Sequence, residues 1–200
     1  MNPVDWSAGR WTHDPEVVDI EVVDDDGEGS GRRLTAIAAE ASDAWRTTAY
    51  GFVHGSEHAL LAPLSVGEAM EVTFTAEWAA EFDQAGLFVR IDDRRWVKAG
   101  LEYADGHMGL GAVVTDDVSD WSVGQIDEWR AASVTMRVSR WPDALIIRAR
   151  ADGGDWRLVR LAPFGSEDAS AGPFLCAPSR SGFAATFTRW DRGPADAAIH

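Results

Sequence analysis

A single cysteine, Cys176, rules out an internal disulfide, which fits a reducing compartment. No apolar run reaches the roughly 18–20 residues that a membrane-spanning helix needs. The stretch from Met1 to Asp14 lacks the basic start and apolar core of a secretory signal; it holds Trp6, Trp11, Asp5 and His13 instead. The expectation is a cytoplasmic chain with no membrane partner. Cations are scarce too: 18 Lys and Arg against 33 Asp and Glu leave a net charge of −15. Such a surface repels phosphate backbones, so nucleic acid is not an expected partner. Helical periodicity is also missing, for no window of a dozen residues repeats at 3.6. Two shortages stand out within the residue types. Two tyrosines accompany ten tryptophans, and one lysine, Lys98, accompanies seventeen arginines. An ammonium and a planar guanidinium differ in reach and titration, so the position of that lysine matters.

What is present is period-two alternation. Met70, Val72, Phe74 and Ala76 alternate with Glu71, Thr73, Thr75 and Glu77. Val134, Met136 and Val138 do the same, as do Phe183, Ala185 and Phe187. Asp105-Gly106, Trp141-Pro142-Asp143 and Asp152-Gly153-Gly154 supply turns. Many short strands with such punctuation predict an all-β, two-sheet antiparallel sandwich of jelly-roll type. The hydrophobic share of 46% excludes a disordered chain. With no repeat and no internal linker, residues 1–200 read as one domain, with an irregular lead-in over 1–15 and a flexible tail over 191–200. EVVDIEVV (16–23) reads as a strand and the acidic DDDGEGSGRR (24–33) as a solvated loop, not a phosphate cradle.

Residues 83–115 carry the most information. Val97, Ala99, Leu101 and Tyr103 suit a core, which turns Trp96, Lys98, Gly100 and Glu102 to the other face. Asp105-Gly106 is a two-residue hairpin signal, and centring it pairs Glu102 with Gly109, Gly100 with Gly111 and Lys98 with Val113. A one-residue slip would invert every face. Matching faces in the preceding hairpin sets Gln84 against Glu102, Gly86 against Gly100, Phe88 against Lys98 and Arg90 against Trp96. Gly86, Gly100 and Gly111 then lie abreast on three strands. Glycine inside a strand costs roughly 0.5–1 kcal/mol against alanine, so three in a row call for a cause. Relief of twist is one; the other is a ligand trench between Gln84 and Glu102 on one wall and Phe88, Lys98 and Val113 on the other.

SDWSVGQIDEW (119–129) adds Asp120, Trp121 and Ser122 near a strand end. An indole stacks on the C–H face of a sugar, while carboxylate, amide and ammonium groups satisfy its hydroxyls. A Trp plugging a sandwich edge is the bland alternative. HGSEH (54–58) lacks the helical setting of a metal motif, Cys176 has no evident catalytic partner, and no GxSxG elbow exists. No metal and no cofactor is expected.

These segments resemble the regulation-of-enolase protein family, a group of unknown molecular activity placed among concanavalin A-like lectins and glucanases. The resemblance covers roughly 45–190. It rests on WRTTAYGF (45–52), DQAGLFVRIDD (83–93), WVKAGLEYADG (96–106), the segment 115–122, ADGGDW with Arg160, and CAPSRSGF (176–183). It implies a jelly roll with a concave face, and it makes Gln84, Trp96, Lys98, Glu102, Asp120 and Trp121 candidates, with Trp45, Arg46, Thr47 and Tyr50 near the groove. Ala49 and Ala177 depart from the family's His and Ser at those places. The leading functional expectation is lectin-like binding of a small saccharide or sugar derivative. A carbohydrate-active hydrolase or lyase, with Glu102 as acid/base, Lys98 as stabiliser and Asp120 as second carboxylate, is the alternative; a protein-interaction module is the third.

Overall fold

The computed structural model describes residues 1–25 and 29–199. Its strands begin with β1 (Asn2–Pro3), β2 (Arg10–Trp11), β3 (Val17–Asp25), β4 (Gly29–Ile37), β5 (Ala44–Arg46) and β6 (Val53–Gly55). They continue with β7 (His58–Pro63), β8 (Glu68–Ala76), β9 (Asp83–Arg90), β10 (Arg95–Ala104), β11 (His107–Asp116) and β12 (Val118–Gln125). The last five are β13 (Val134–Arg140), β14 (Ala144–Ala151), β15 (Arg157–Pro163), β16 (Ser170–Cys176) and β17 (Ala184–Pro194). One sheet runs β15-β14-β13-β8-β17-β4-β3, with β1 beside β17. The second runs β12-β11-β10-β9-β16-β7-β2, and β5 with β6 forms a separate hairpin. All named pairings are antiparallel, so this is the jelly-roll-type sandwich that the alternation predicts.

The core lies between the sheets. Met70, Val72 and Phe74 of β8, Val134, Met136 and Val138 of β13, and Phe187 of β17 are fully buried there. Leu87, Val89, Val97, Ala99 and Leu101 meet them from the second sheet. Burying each large side chain contributes about 1.5–3 kcal/mol. Because alternate residues turn the other way, the core register decides what faces outward. Asp105 and Gly106 take φ of +53° and +81°, as a tight hairpin with the twist of its strands requires. The register of β9, β10 and β11 follows residue for residue: Gly86 opposes Gly100, which opposes Gly111, and Lys98 lies between Phe88 and Val113.

Three expectations need correction. The lead-in over 1–15 is not irregular throughout: β1 pairs with β17, β2 with β7, and Trp6 stacks on Trp190 with centroids 5.8 Å apart. Burying an indole outweighs the weak strand propensity of that segment. The loop over 24–33 is shorter than expected, since β3 and β4 run to Asp25 and from Gly29, and its tip at 26–28 lies outside the described residues. The tail over 191–200 is tied down up to Asp196, whose carboxylate accepts from Arg137 Nε at 2.9 Å and Arg148 Nε at 3.0 Å. His200 lies outside the described residues.

Candidate functional site

The outward face of the second sheet carries a polar row where solvent-facing residues are usual. Lys98 is only 5% exposed, because β10 is central in its sheet and the segment around β5 folds across it. Its ammonium donates to Asp43 Oδ1 at 2.9 Å and to Gln84 Oε1 at 2.7 Å. Asp43 immediately precedes β5 and belongs to no expectation drawn from the sequence. Glu102, one turn of the pleat beyond Gly100 and opposite Gln84, borders the same space. Among the described residues its carboxyl has no hydrogen-bond or ion-pair partner.

Above this floor is a cavity of about 390 Å³. Asp43, Gln84, Lys98 and Glu102 form its polar side; Trp45, Tyr50, Phe52 and His54 of the β5–β6 hairpin form one wall. Trp121 and Val113 form another, with Phe82, Pro178 and Ser179 at the rim. The hairpin wall is a ladder of rings: Trp45 meets Tyr50 edge-on at 5.6 Å, and Tyr50 stacks on Phe52 at 5.3 Å. Trp45 donates its indole N–H to Thr48 O at 3.0 Å, which fixes the ring. Thr47, Ala49 and Phe82 hold left-handed φ near +64°, and Ala41 at +65° also borders the cavity. Such backbone is costly for residues with a Cβ and collects where a site dictates loop shape. The rim loop is held by Arg180, whose Nη2 donates to Asp83 Oδ2 at 2.9 Å.

The glycine row has two roles. A Cβ on Gly100 would collide with the Ala85 carbonyl and lie 2.8 Å from Gly86 Cα; one on Gly111 would collide with the Ser122 carbonyl. Close approach of the strands therefore already demands glycine. Gly100 and Gly111 also line a smaller hollow continuous with the cavity through Gln84, Lys98, Glu102 and Trp121. Gly86 borders neither space; it sits between Gly100 and the buried Phe174.

Burial, opposed by the nearby Lys98 ammonium and reinforced by Asp43 and Glu81, pushes the Glu102 carboxyl up to about 7. Burial works against the charge of Lys98, but Asp43, and to a lesser degree Cys176 and Glu102, carry its pKa above the usual lysine value. The site therefore holds a fixed ammonium and a carboxyl that titrates near neutrality. Among the described residues no cluster of His, Cys, Asp and Glu has the arrangement of a metal site.

Gln84, Lys98, Glu102, Trp121 and Tyr50 meet at one cavity, and Gly100 and Gly111 underlie its extension. Six expected residues do not border it: Phe88 and Thr47 are not among its lining residues, and four candidate binding residues are placed elsewhere. Trp96 is 4% exposed and stacks on Phe88 at 5.4 Å, part of an apolar cluster with Phe174, Cys176 and Ala59. Arg46 spends its guanidinium on the Asp117 carbonyl, bracing the hairpin. Gly86 is covered. Asp120 is the clearest correction: 118–125 is a strand, so Trp121 pairs with Val113 on the site face while Asp120 pairs with Val114 and points the opposite way. Its carboxylate is bound by Arg160 of the other sheet at 2.6 Å. The residues missed were Asp43, Phe52 and His54, which lie far away in sequence on or beside a hairpin of three-residue strands.

A family model described as Protein of unknown function (DUF1349) matches residues 11–195. A Saccharomyces cerevisiae relative called Regulation of enolase protein 1 is 36% identical over 97% of this chain and 94% of its own length. The crystal structure of a functionally unknown protein from the same organism superposes with a TM-score of 0.85 at 34% identity, covering 96% of this chain and 100% of that one. A xylan beta-1,4-xylosidase from Bacillus Halodurans shares the fold at a TM-score of 0.62 and 13% identity, over 80% of this chain and 32% of that one. This chain thus spans about a third of that enzyme, and at such identity the likeness concerns the sandwich alone.

Proposed function

The chain belongs to the family described as Protein of unknown function (DUF1349), and from that premise we propose that it binds a small saccharide or sugar derivative in the cavity of the second sheet. One observation carries the reading: a buried Lys98–Asp43–Gln84 network closes one side of a space walled by Trp45, Tyr50, Phe52 and Trp121. A sugar ring has apolar C–H faces and a polar rim, so it wants rings on its faces and amide, carboxylate and ammonium groups at its edge. A cavity of about 390 Å³ suits a ligand of one or two rings. The carbohydrate-active proteins that share the fold lend coarser support.

Isothermal titration with mono- and disaccharides, neutral and amino-substituted, tests it. Trp121 is 42% exposed, so Trp121→Ala leaves the fold intact. Loss of one stacking face, about 1–1.5 kcal/mol, should weaken the bound sugar roughly tenfold. A panel in which no saccharide binds, or an unchanged affinity in the variant, would overturn the reading.

A second reading, a lyase or isomerase with Glu102 as acid/base, draws on the Glu102 carboxyl at about 7 near a fixed ammonium. Hydrolysis by Glu102 with Asp120 has less support, because Asp120 alternates away from the face that carries Trp121 and Glu102. Solvent deuterium entering a sugar C–H bond in the presence of the protein, and failing to do so with Glu102→Gln, would favour it over simple binding.

A further inference from the structure

We propose that the cavity selects a ligand carrying a protonated amine, such as an amino sugar, with Glu102 as the counter-charge and the rings of Trp45, Tyr50, Phe52 and Trp121 as an aromatic cage. The inference rests on the cavity being the ligand site, and it narrows the ligand's charge.

Lys98 is the one cation among the cavity's charged lining residues, and its ammonium is already held by Asp43 and Gln84. None of the seventeen arginines is among the lining residues. An anionic ligand would have to displace Asp43 from Lys98 and would then face Glu102. A neutral ligand would leave the Glu102 carboxyl with only the Lys98 ammonium nearby, which Asp43 already holds. An ammonium meets that need, and ring faces add about 0.5–2 kcal/mol to a cation enclosed by them. The net charge of −15 draws cations toward the surface and discourages anions.

A proton balance follows. The groups bearing on Glu102 are Lys98, which favours its ionised form, and Asp43 and Glu81, which oppose it. Gln84 lies opposite, and His54 and Tyr50 are the other titratable groups lining the cavity. Because burial holds the carboxyl at about 7, it is largely protonated at pH 6. A cation within about 4–6 Å favours the carboxylate, typically by 1–3 pH units. Binding therefore expels the Glu102 proton to solvent, and affinity rises with pH up to about neutrality.

Isothermal titration at pH 6 tests this with four probes: glucose, glucosamine, glucose 6-phosphate and choline. Two buffers of different ionisation enthalpy report the proton released. Glucosamine should bind at least tenfold more tightly than glucose, with a fraction of a proton released and no binding of the phosphate. Glu102→Gln should erase both the preference for the amine and the proton release, whereas His107→Asn, an exposed position outside the cavity, should leave both in place. Equal affinity for glucose and glucosamine, tighter binding of the phosphate, or a preference that survives Glu102→Gln overturns the inference and leaves saccharide binding standing. Choline binding with no response to either sugar supports the cationic site and overturns the saccharide reading. Silence from all four probes overturns both.

Discussion

The outward faces of the two sheets each carry a half-buried ion network, and the networks end differently. On the first sheet Arg137 donates to Glu71 at 2.6 Å and to Asp196, which also binds Arg148. Asp196 completes the set by accepting the Trp141 indole N–H on its backbone carbonyl at 2.9 Å. Each of those four charges has a partner, and the C-terminal segment supplies Asp196. On the second sheet Lys98, Asp43 and Gln84 satisfy one another, but Glu102 borders the cavity with no hydrogen-bond or ion-pair partner among the described residues. A network that serves only to fasten the chain can close completely. One that faces a cavity and leaves a carboxyl unpaired stores a cost that a ligand can relieve.

The largest expected effect tests how tightly the second network depends on its single cation. Lys98→Ala leaves Asp43 with no cation, only the Ala44 N–H at 2.8 Å and a 3.5 Å contact with the Gln84 amide, and should cost about 3–5 kcal/mol in urea unfolding. Arg148→Ala should cost less, about 1–2 kcal/mol, because the Asp196 carboxylate keeps Arg137 and its backbone N–H still donates to the Ser139 hydroxyl. Equal losses would break the distinction between the two faces. Next comes the floor. Gly100→Ala must push β10 away from β9, since the atoms it meets are backbone, and about 3 kcal/mol of stability should go with it. A fold that absorbs that methyl without loss would show the glycines to be there for the ligand alone.

How much of this was legible differs along the chain for physical reasons. The register of β9 to β11 could be read because Asp105-Gly106 admits one compact turn and the faces admit one parity. The same parity extended through Asp117 puts Trp121 beside Val113 and Asp120 on the far face, but SDWS alone does not tell a continuing strand from a strand end. Asp43 left no such trace. It precedes a strand of three residues, too short to alternate, and nothing local ties it to a lysine 55 positions later. Trp96 was placed on the correct face, yet only packing could tell that Phe88 already covers it. The anchored tail was hidden for a similar reason: Asp196 is held by side chains of β13 and β14, not by a pattern of its own.

The smallest effects discriminate most sharply, because one chemical change should act with opposite sign on the two faces. The Glu102 carboxyl is raised from 4.5 to about 7, so its folded form is favoured by protonation. That contribution is whole below pH 4.5 and disappears as pH climbs through 7, where the folded state must hold an unpaired carboxylate. Glu102→Gln removes the penalty. Relative to wild type it should be neutral at pH 4 and more stable by about 2–3 kcal/mol at pH 8. Asp196 is the reverse case. Burial raises its carboxyl, but Arg148 and Arg137 outweigh burial and bring it below the usual range, so its contribution is present above the normal aspartate value and lost as pH falls. Asp196→Asn should therefore destabilise by about 1–2 kcal/mol at pH 8 and by less in acid. His58, which burial keeps neutral, weakens the protein as pH drops below 6.5, but it does so in wild type and variants alike and cancels in the difference. Chemical denaturation of both variants at pH 4 and 8 supplies the comparison. Stabilisation by Glu102→Gln at both pH values would mean that the carboxyl is disfavoured for its shape or polarity and not for its charge, and the cavity would lose the unpaired acid that sets it apart from the closed network on the other sheet.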